Sequence, residues 1–224
     1  MHIHSVFEKV VNELKSDSLI RGIFVTGSLA RGTETEYSDL DIIVLYGENK
    51  VVEKVVDGVP VEIHYNTLES TIERFSFDAG ALYLYVYGKI VEDRFGELNK
   101  LQREAKDKLN SYKASVERVE KLTHKMNALV EKLRASLALK DSLKISYLLH
   151  NNFSHFVDYV YMLNSLPKPP QGLTYEIYDN LDIKPCERWI EKLLTLDELE
   201  RGEMVVKFVQ AQVKFAVASE VALQ

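Results

Sequence analysis

Apolar residues recur at Ile3, Val6, Phe7, Val10, Val11 and Leu14, the spacing of one helical face, so the chain opens on an amphipathic helix. The next apolar run, IRGIFVTG at 20–27, is short and unbroken and ends in Gly-Ser, which predicts a buried strand entering a turn. LDIIVLY at 40–46 predicts a second strand. Residues 51–65 read as two strands joined through Asp57-Gly58, a pair suited to the positive φ angles of a tight hairpin. Pro60 sits beside that turn, where a missing N–H costs little. A short helix over AGALYLYVYG and a strand at KIVED complete this first region near residue 95.

After Gly96 the two-residue period disappears, and helical spacing takes over at about 97–112, 114–140, 142–164, 186–195 and 202–222. SLPKPPQGLTYE, which interrupts these runs, is expected to be a loop because consecutive prolines cannot continue a helix. The pattern predicts an α/β (α+β) domain with a small mixed sheet over residues 1–96. An all-α bundle of about five helices follows over 97–224.

Composition narrows the class. Hydrophobic residues make up 46% and charged residues 28%, the balance of a globular chain with a real core. Cys186 is the single cysteine, which excludes an intramolecular disulfide and a thiolate metal cluster. The first residues alternate charge with apolar side chains, unlike a signal peptide. No run approaches the roughly 20 apolar residues of a membrane span, so a cytoplasmic protein is expected.

The net charge of −6 is unevenly spread. Residues 1–96 carry 9 Lys/Arg against 16 Asp/Glu, and residues 97–144 carry 12 against 7. An overall acidic chain is not suited to gripping long nucleic acid. The basic middle segment is either a solvated helix face or a phosphate-binding surface.

The candidate chemistry lies in GSLARGTETEYSDLDIIVLY, residues 27–46. Gly27-Ser28 follows directly on a strand. Glycine permits close approach of a ligand to the backbone, and a serine hydroxyl with free N–H groups at a helix start suits phosphate oxygens. Ten residues later Asp39 and Asp41 flank Leu40 at the start of a strand, so both carboxylates share one face while Leu40 and Ile42 point to the core. Paired carboxylates repel unless a cation lies between them, and magnesium, a hard ion taking carboxylate and phosphate oxygens, answers that cost. Glu62 shares one face of its strand with His64. It comes within reach of the aspartates if that strand lies beside LDIIVLY. Three carboxylates facing a phosphate turn are the ingredients of a two-metal site.

Gly-Ser, ten residues, then Asp-Leu-Asp with a later strand carboxylate resembles the DNA polymerase β-like nucleotidyltransferase superfamily. GSLARG with SDLD is similar to its minimal nucleotidyltransferase and aminoglycoside-modifying branches. The resemblance covers about 20–97 well. MLNSLPKPP and the helices after it are more weakly similar to the C-terminal domain of kanamycin-type enzymes.

It implies Asp39, Asp41 and Glu62 as catalytic metal ligands for Mg2+, two ions in all, with Glu62 as third ligand or general base. Gly27, Ser28, Arg31 and Ser38 are implied as binders of a nucleoside triphosphate. The expected reaction moves a nucleoside monophosphate to an acceptor hydroxyl with release of pyrophosphate, with ATP as donor on abundance alone. A small hydroxylated acceptor between the two domains is the first expectation. A protein or RNA acceptor of toxin–antitoxin type and a catalytically silent nucleotide-binding regulator are the alternatives, and a homodimer is a further implication.

In the third helical run Asn151, His155 and Asp158 form a polar stripe, read either as a wall of the acceptor pocket or as a polar network between helices. Arg118 and His124 are spaced like the Arg-x5-His pair of a helical ribonuclease fold, a pairing that also arises cheaply on a charged helix.

Overall fold

The computed structural model describes residues 2–221, and the side chains of residues 2–212. The chain divides into two compact units, Met1–Ser111 and Tyr112–Gln224.

The first unit runs α1 (His2–Lys15), β1 (Gly22–Val25), α2 (Gly27–Arg31), β2 (Leu40–Leu45), β3 (Lys50–Val56), β4 (Val59–Asn66), α3 (Leu68–Arg74), α4 (Ala79–Tyr87), β5 (Lys89–Asp93) and α5 (Glu97–Asn110). The strands form one mixed sheet in the order β3-β4-β2-β1-β5, in which β2 and β4 are parallel and the other pairs antiparallel. The Asp57-Gly58 hairpin forms as the sequence predicts. Both residues have positive φ, 50° and 85°, and Val56 pairs with Val59.

The sheet is buried on two sides, which is why its central strands read as unbroken apolar runs. On one face the α1 stripe of Ile3, Val6, Val10, Val11 and Leu14 packs with Ile23, Leu40, Ile42, Val44, Val61 and Ile63. On the other, Phe24, Ile43 and Leu45 pack with Phe75, Leu82 and Tyr85 and with Leu98, Leu101 and Ala105 of α5.

The place of α5 differs from the expectation that helices after Gly96 belong to the bundle. Its apolar stripe closes the second face of the sheet. Gln102 Nε2 donates to the carbonyls of Tyr85 and Gly88 at 3.0 and 3.2 Å, so the first compact unit extends to Ser111.

The second unit contains α6 (Val116–Ala138), α7 (Ser142–Leu163), α8 (Gln171–Ile177), a 3-10 turn (Tyr178–Asn180), α9 (Trp189–Thr195) and α10 (Glu198–Val221). The expected helix at 202–222 corresponds to α10, and residue 222 lies outside the described residues. Ser115 and Asp141 cap α6 and α7 by accepting from the N–H groups of Arg118 and Lys144. Met126, Leu133, Ile145, Phe156, Trp189 and Val205 are among the residues that build the core. The 165–176 loop expectation needs correction. Pro169-Pro170 does break the preceding path, but Pro170 sits at the N-cap of α8, and the carbonyl of Pro170 accepts from the Thr174 N–H at 2.9 Å. Proline stops a helix from being continued and is well tolerated where one begins.

Candidate active site

The turn after β1 is built against β2. Thr26, buried, donates its N–H to the carbonyl of Asp41 at 3.0 Å. Gly27 follows with φ +69°, and a Cβ there would collide with the Asp41 carboxylate, so the position excludes a side chain on two grounds. Leu29 and Ala30 anchor α2 in the core and fix the turn beside the carboxylates. The Ser28 hydroxyl is buried and has no hydrogen-bond partner, an unusual state for a polar atom at the mouth of a turn. Arg31, in the last turn of α2, is close enough for its charge to favour ionisation of Asp41.

The loop from Gly32 returns to β2 through Ser38, whose hydroxyl accepts from the Thr35 N–H at 2.9 Å. Asp39 is exposed, and Leu40 and Ile42 are fully buried on the α1 side, as strand alternation requires. Asp41 stands opposite Glu62 in the parallel β2–β4 ladder, so the strand adjacency that Glu62 needed is present. Burial, then Asp39, then Glu62 push the Asp41 carboxyl above the ordinary aspartate range, while His64 and Arg31 act against the rise.

Glu62 Oε1 lies 2.8 Å from His64 Nε2, two residues along the same strand face. Among the described residues no group of three or more His, Cys, Asp or Glu is arranged as a metal cage. Asp39 is exposed and Glu62 turns one oxygen to His64, yet both lie close enough to Asp41 for their charge to raise it, so the three carboxylates gather beside the Gly-Ser turn as an open set.

One further carboxylate escaped the sequence reading. Glu53 is opposite Glu62 in the β3–β4 ladder, which extends the acidic row to the edge strand. The signal was present in the Asp57-Gly58 turn, because a two-residue hairpin that pairs 56 with 59 also pairs 53 with 62.

The helical-unit candidates separate. Asp158 accepts from Arg118 Nη2 at 2.6 Å, and His155 Nε2 meets Lys125 Nζ at 3.1 Å, both across the α6–α7 contact. Asn151 is exposed and donates back to the Tyr147 carbonyl of its own helix. His155 and Asp158 thus belong to a polar network between helices, and Asn151 is outside it. His124 is exposed, and Arg118 turns to Asp158.

The first unit is thus a mixed-sheet α/β domain that sets a Gly-Ser turn against an Asp-x-Asp strand, with a glutamate on the neighbouring strand. Residues 7–135, more than half of the chain, match the family described as nucleotidyltransferase domain. The chain belongs to that family, and its activity is nucleotidyl transfer. Among solved structures it is similar to a nucleotidyltransferase-like protein from Exiguobacterium sibiricum. The identity is 15% and the TM-score 0.44, over 97% of this chain and 76% of that one. No curated protein matches the chain. No helix among the described residues is long and apolar enough to cross a membrane.

Proposed function

We propose that this nucleotidyltransferase transfers AMP from ATP to a hydroxyl of a small-molecule acceptor, releasing pyrophosphate in a magnesium-dependent reaction. The observation that carries the donor half of the reading is the Gly27–Asp41 contact. A side-chain-free turn with a buried, partnerless serine hydroxyl abuts a carboxylate crowded by two others. A phosphate oxygen at this turn would supply the acceptor that Ser28 Oγ lacks.

The donor set fits magnesium, since Asp39, Asp41 and Glu62 offer hard carboxylate oxygens. These three residues would hold the metal, two ions by the family pattern. Bound there, it would neutralise the triphosphate and polarise the reacting phosphoryl group.

The chain's own groups would do the rest. Gly27 lets the triphosphate approach the backbone, Ser28 donates to it, and Arg31 brings positive charge to the same edge. Ser38 holds the loop that delivers Asp39. Attack of the acceptor oxygen on the α-phosphorus forms one P–O bond, breaks the bond to the β-phosphate oxygen and passes the hydroxyl proton to a base. Glu62 is the carboxylate best placed on its strand to orient or take that proton. Positioning and charge neutralisation supply most of the acceleration.

The test is thermal melting of the wild type and of Asp39→Ala/Asp41→Ala with each nucleoside triphosphate, with and without magnesium. Ligand at a hundred times its dissociation constant adds about 2.7 kcal/mol. A magnesium-dependent rise confined to the wild type, largest with ATP, is expected. Equal rises in both proteins would sink the assigned ligand set. Pyrophosphate release that vanishes in Asp41→Asn separates the enzyme from a silent regulator.

A further inference from the structure

Arg118, Lys121 and Lys125 occupy successive turns along one side of α6, with His155 and Asp158 facing them from α7. With Glu117 they line a cleft of about 420 Å3 that lies wholly within the helical unit. The cleft has unspent positive charge. Arg118 gives Nη2 to Asp158, but its Nε is buried and finds no acceptor. Lys125 donates to His155 Nε2. An imidazole brings no negative charge to the lysine, so that contact supplies it with no counter-ion. Lys121, exposed on the rim, makes no ion pair among the described residues. Three cations therefore face two carboxylates, one of them already engaged by Arg118.

We propose that this cleft is a binding site for a phosphate group, separate from the triphosphate turn and independent of how that turn is used. The guanidinium fork suits a multi-oxygen anion. One phosphate oxygen takes the orphaned Arg118 Nε–H, while Lys121 and Lys125 neutralise the remaining charge. The lysines and arginine rise along the helix at about 5.4 Å per turn, so successive phosphates of a phosphodiester segment can follow them, and the long lysine side chains can reach inward to a single phosphate held by Arg118. The basic balance of residues 97–144 then has a local use within a chain whose net charge is −6. The phosphate can arrive on a small phosphomonoester or on a short single strand of RNA, two sources of one chemistry.

The experiment is calorimetric titration of the full chain, in EDTA, with adenosine 5′-monophosphate and with a short single-stranded oligoribonucleotide. The proteins are the wild type, Asp41→Ala, Lys121→Ala/Lys125→Ala and Arg118→Lys, each checked by melting for an intact fold. Binding should be equal in the wild type and Asp41→Ala. It should weaken at least about tenfold in the double lysine variant, with the salt slope reduced by roughly one per lysine. Arg118→Lys, which keeps the charge and loses the Nε donor, should also weaken it. Preference for the monophosphate assigns the site to a phosphomonoester, and preference for the oligonucleotide assigns it to a backbone; both uphold the site. Absence of binding by either probe, binding untouched by the lysine changes, or binding lost in Asp41→Ala overturns it.

Discussion

Asp41 concentrates the conflict at the active-site edge. It is half-buried, faces Glu62 across the ladder and stands near Asp39, so its ionised form is held at a cost. Its folded-state pKa is raised, so its contribution to stability is complete below the ordinary value of 3.8 and is lost as pH rises through the higher folded-state value. In EDTA at neutral pH, Asp41→Asn should therefore melt above the wild type, and the difference should vanish in melts taken at acid pH. The same change should lower pyrophosphate release by more than about a hundredfold, since even partners one shell removed from a metal cost up to that much. A residue that destabilises the fold it serves is the expected signature of a site evolved for a ligand. Gly27 is its counterpart. Gly27→Ala must accept a left-handed backbone costing about 1–2 kcal/mol, in addition to displacing the Asp41 carboxylate. Chemical denaturation should show at least that loss, and nucleotide should no longer raise the melting midpoint.

At the scale of elements, the site depends on register. The Asp57-Gly58 turn pairs β3 with β4, and the parallel β2–β4 ladder then sets Glu62 beside Asp41. A one-residue slip would turn Glu62 into the α1 core and put Ile63 on the half-exposed face that carries Asp41. The helices of the second unit depend on their ends. Asp141 accepts from the Lys144 N–H at 3.0 Å and starts α7 directly after the left-handed Lys140. Asp141→Ala should cost about 1 kcal/mol. That loss should appear as an earlier melt, with nucleotide binding unchanged.

On the scale of the whole molecule, each unit has its own core, and Trp189, the single tryptophan, is fully buried in that of the second. Its fluorescence therefore reports the helical unit. Heating should give a fluorescence transition whose midpoint stays fixed when ATP and magnesium are added, while calorimetry shows a second transition that moves upward. Fluorescence and calorimetric midpoints that coincide and move together would show instead that the cores melt as one.

Local chemistry was enough to read the α1 stripe, the five strands, the Asp57-Gly58 hairpin and the Gly-Ser–Asp-x-Asp pairing from the chain. Side-chain period, turn stereochemistry and the spacing of one strand end from the next are written in short stretches of sequence. Tertiary structure alone decided that α5 closes the sheet, because an amphipathic stripe does not state which apolar surface it will cover. It also decided that Pro169-Pro170 precedes a helix, that Glu62 shares an oxygen with His64, and that Asp158 and His155 meet Arg118 and Lys125. Each of these is a choice among long-range partners, and it is made by packing, which no local pattern encodes.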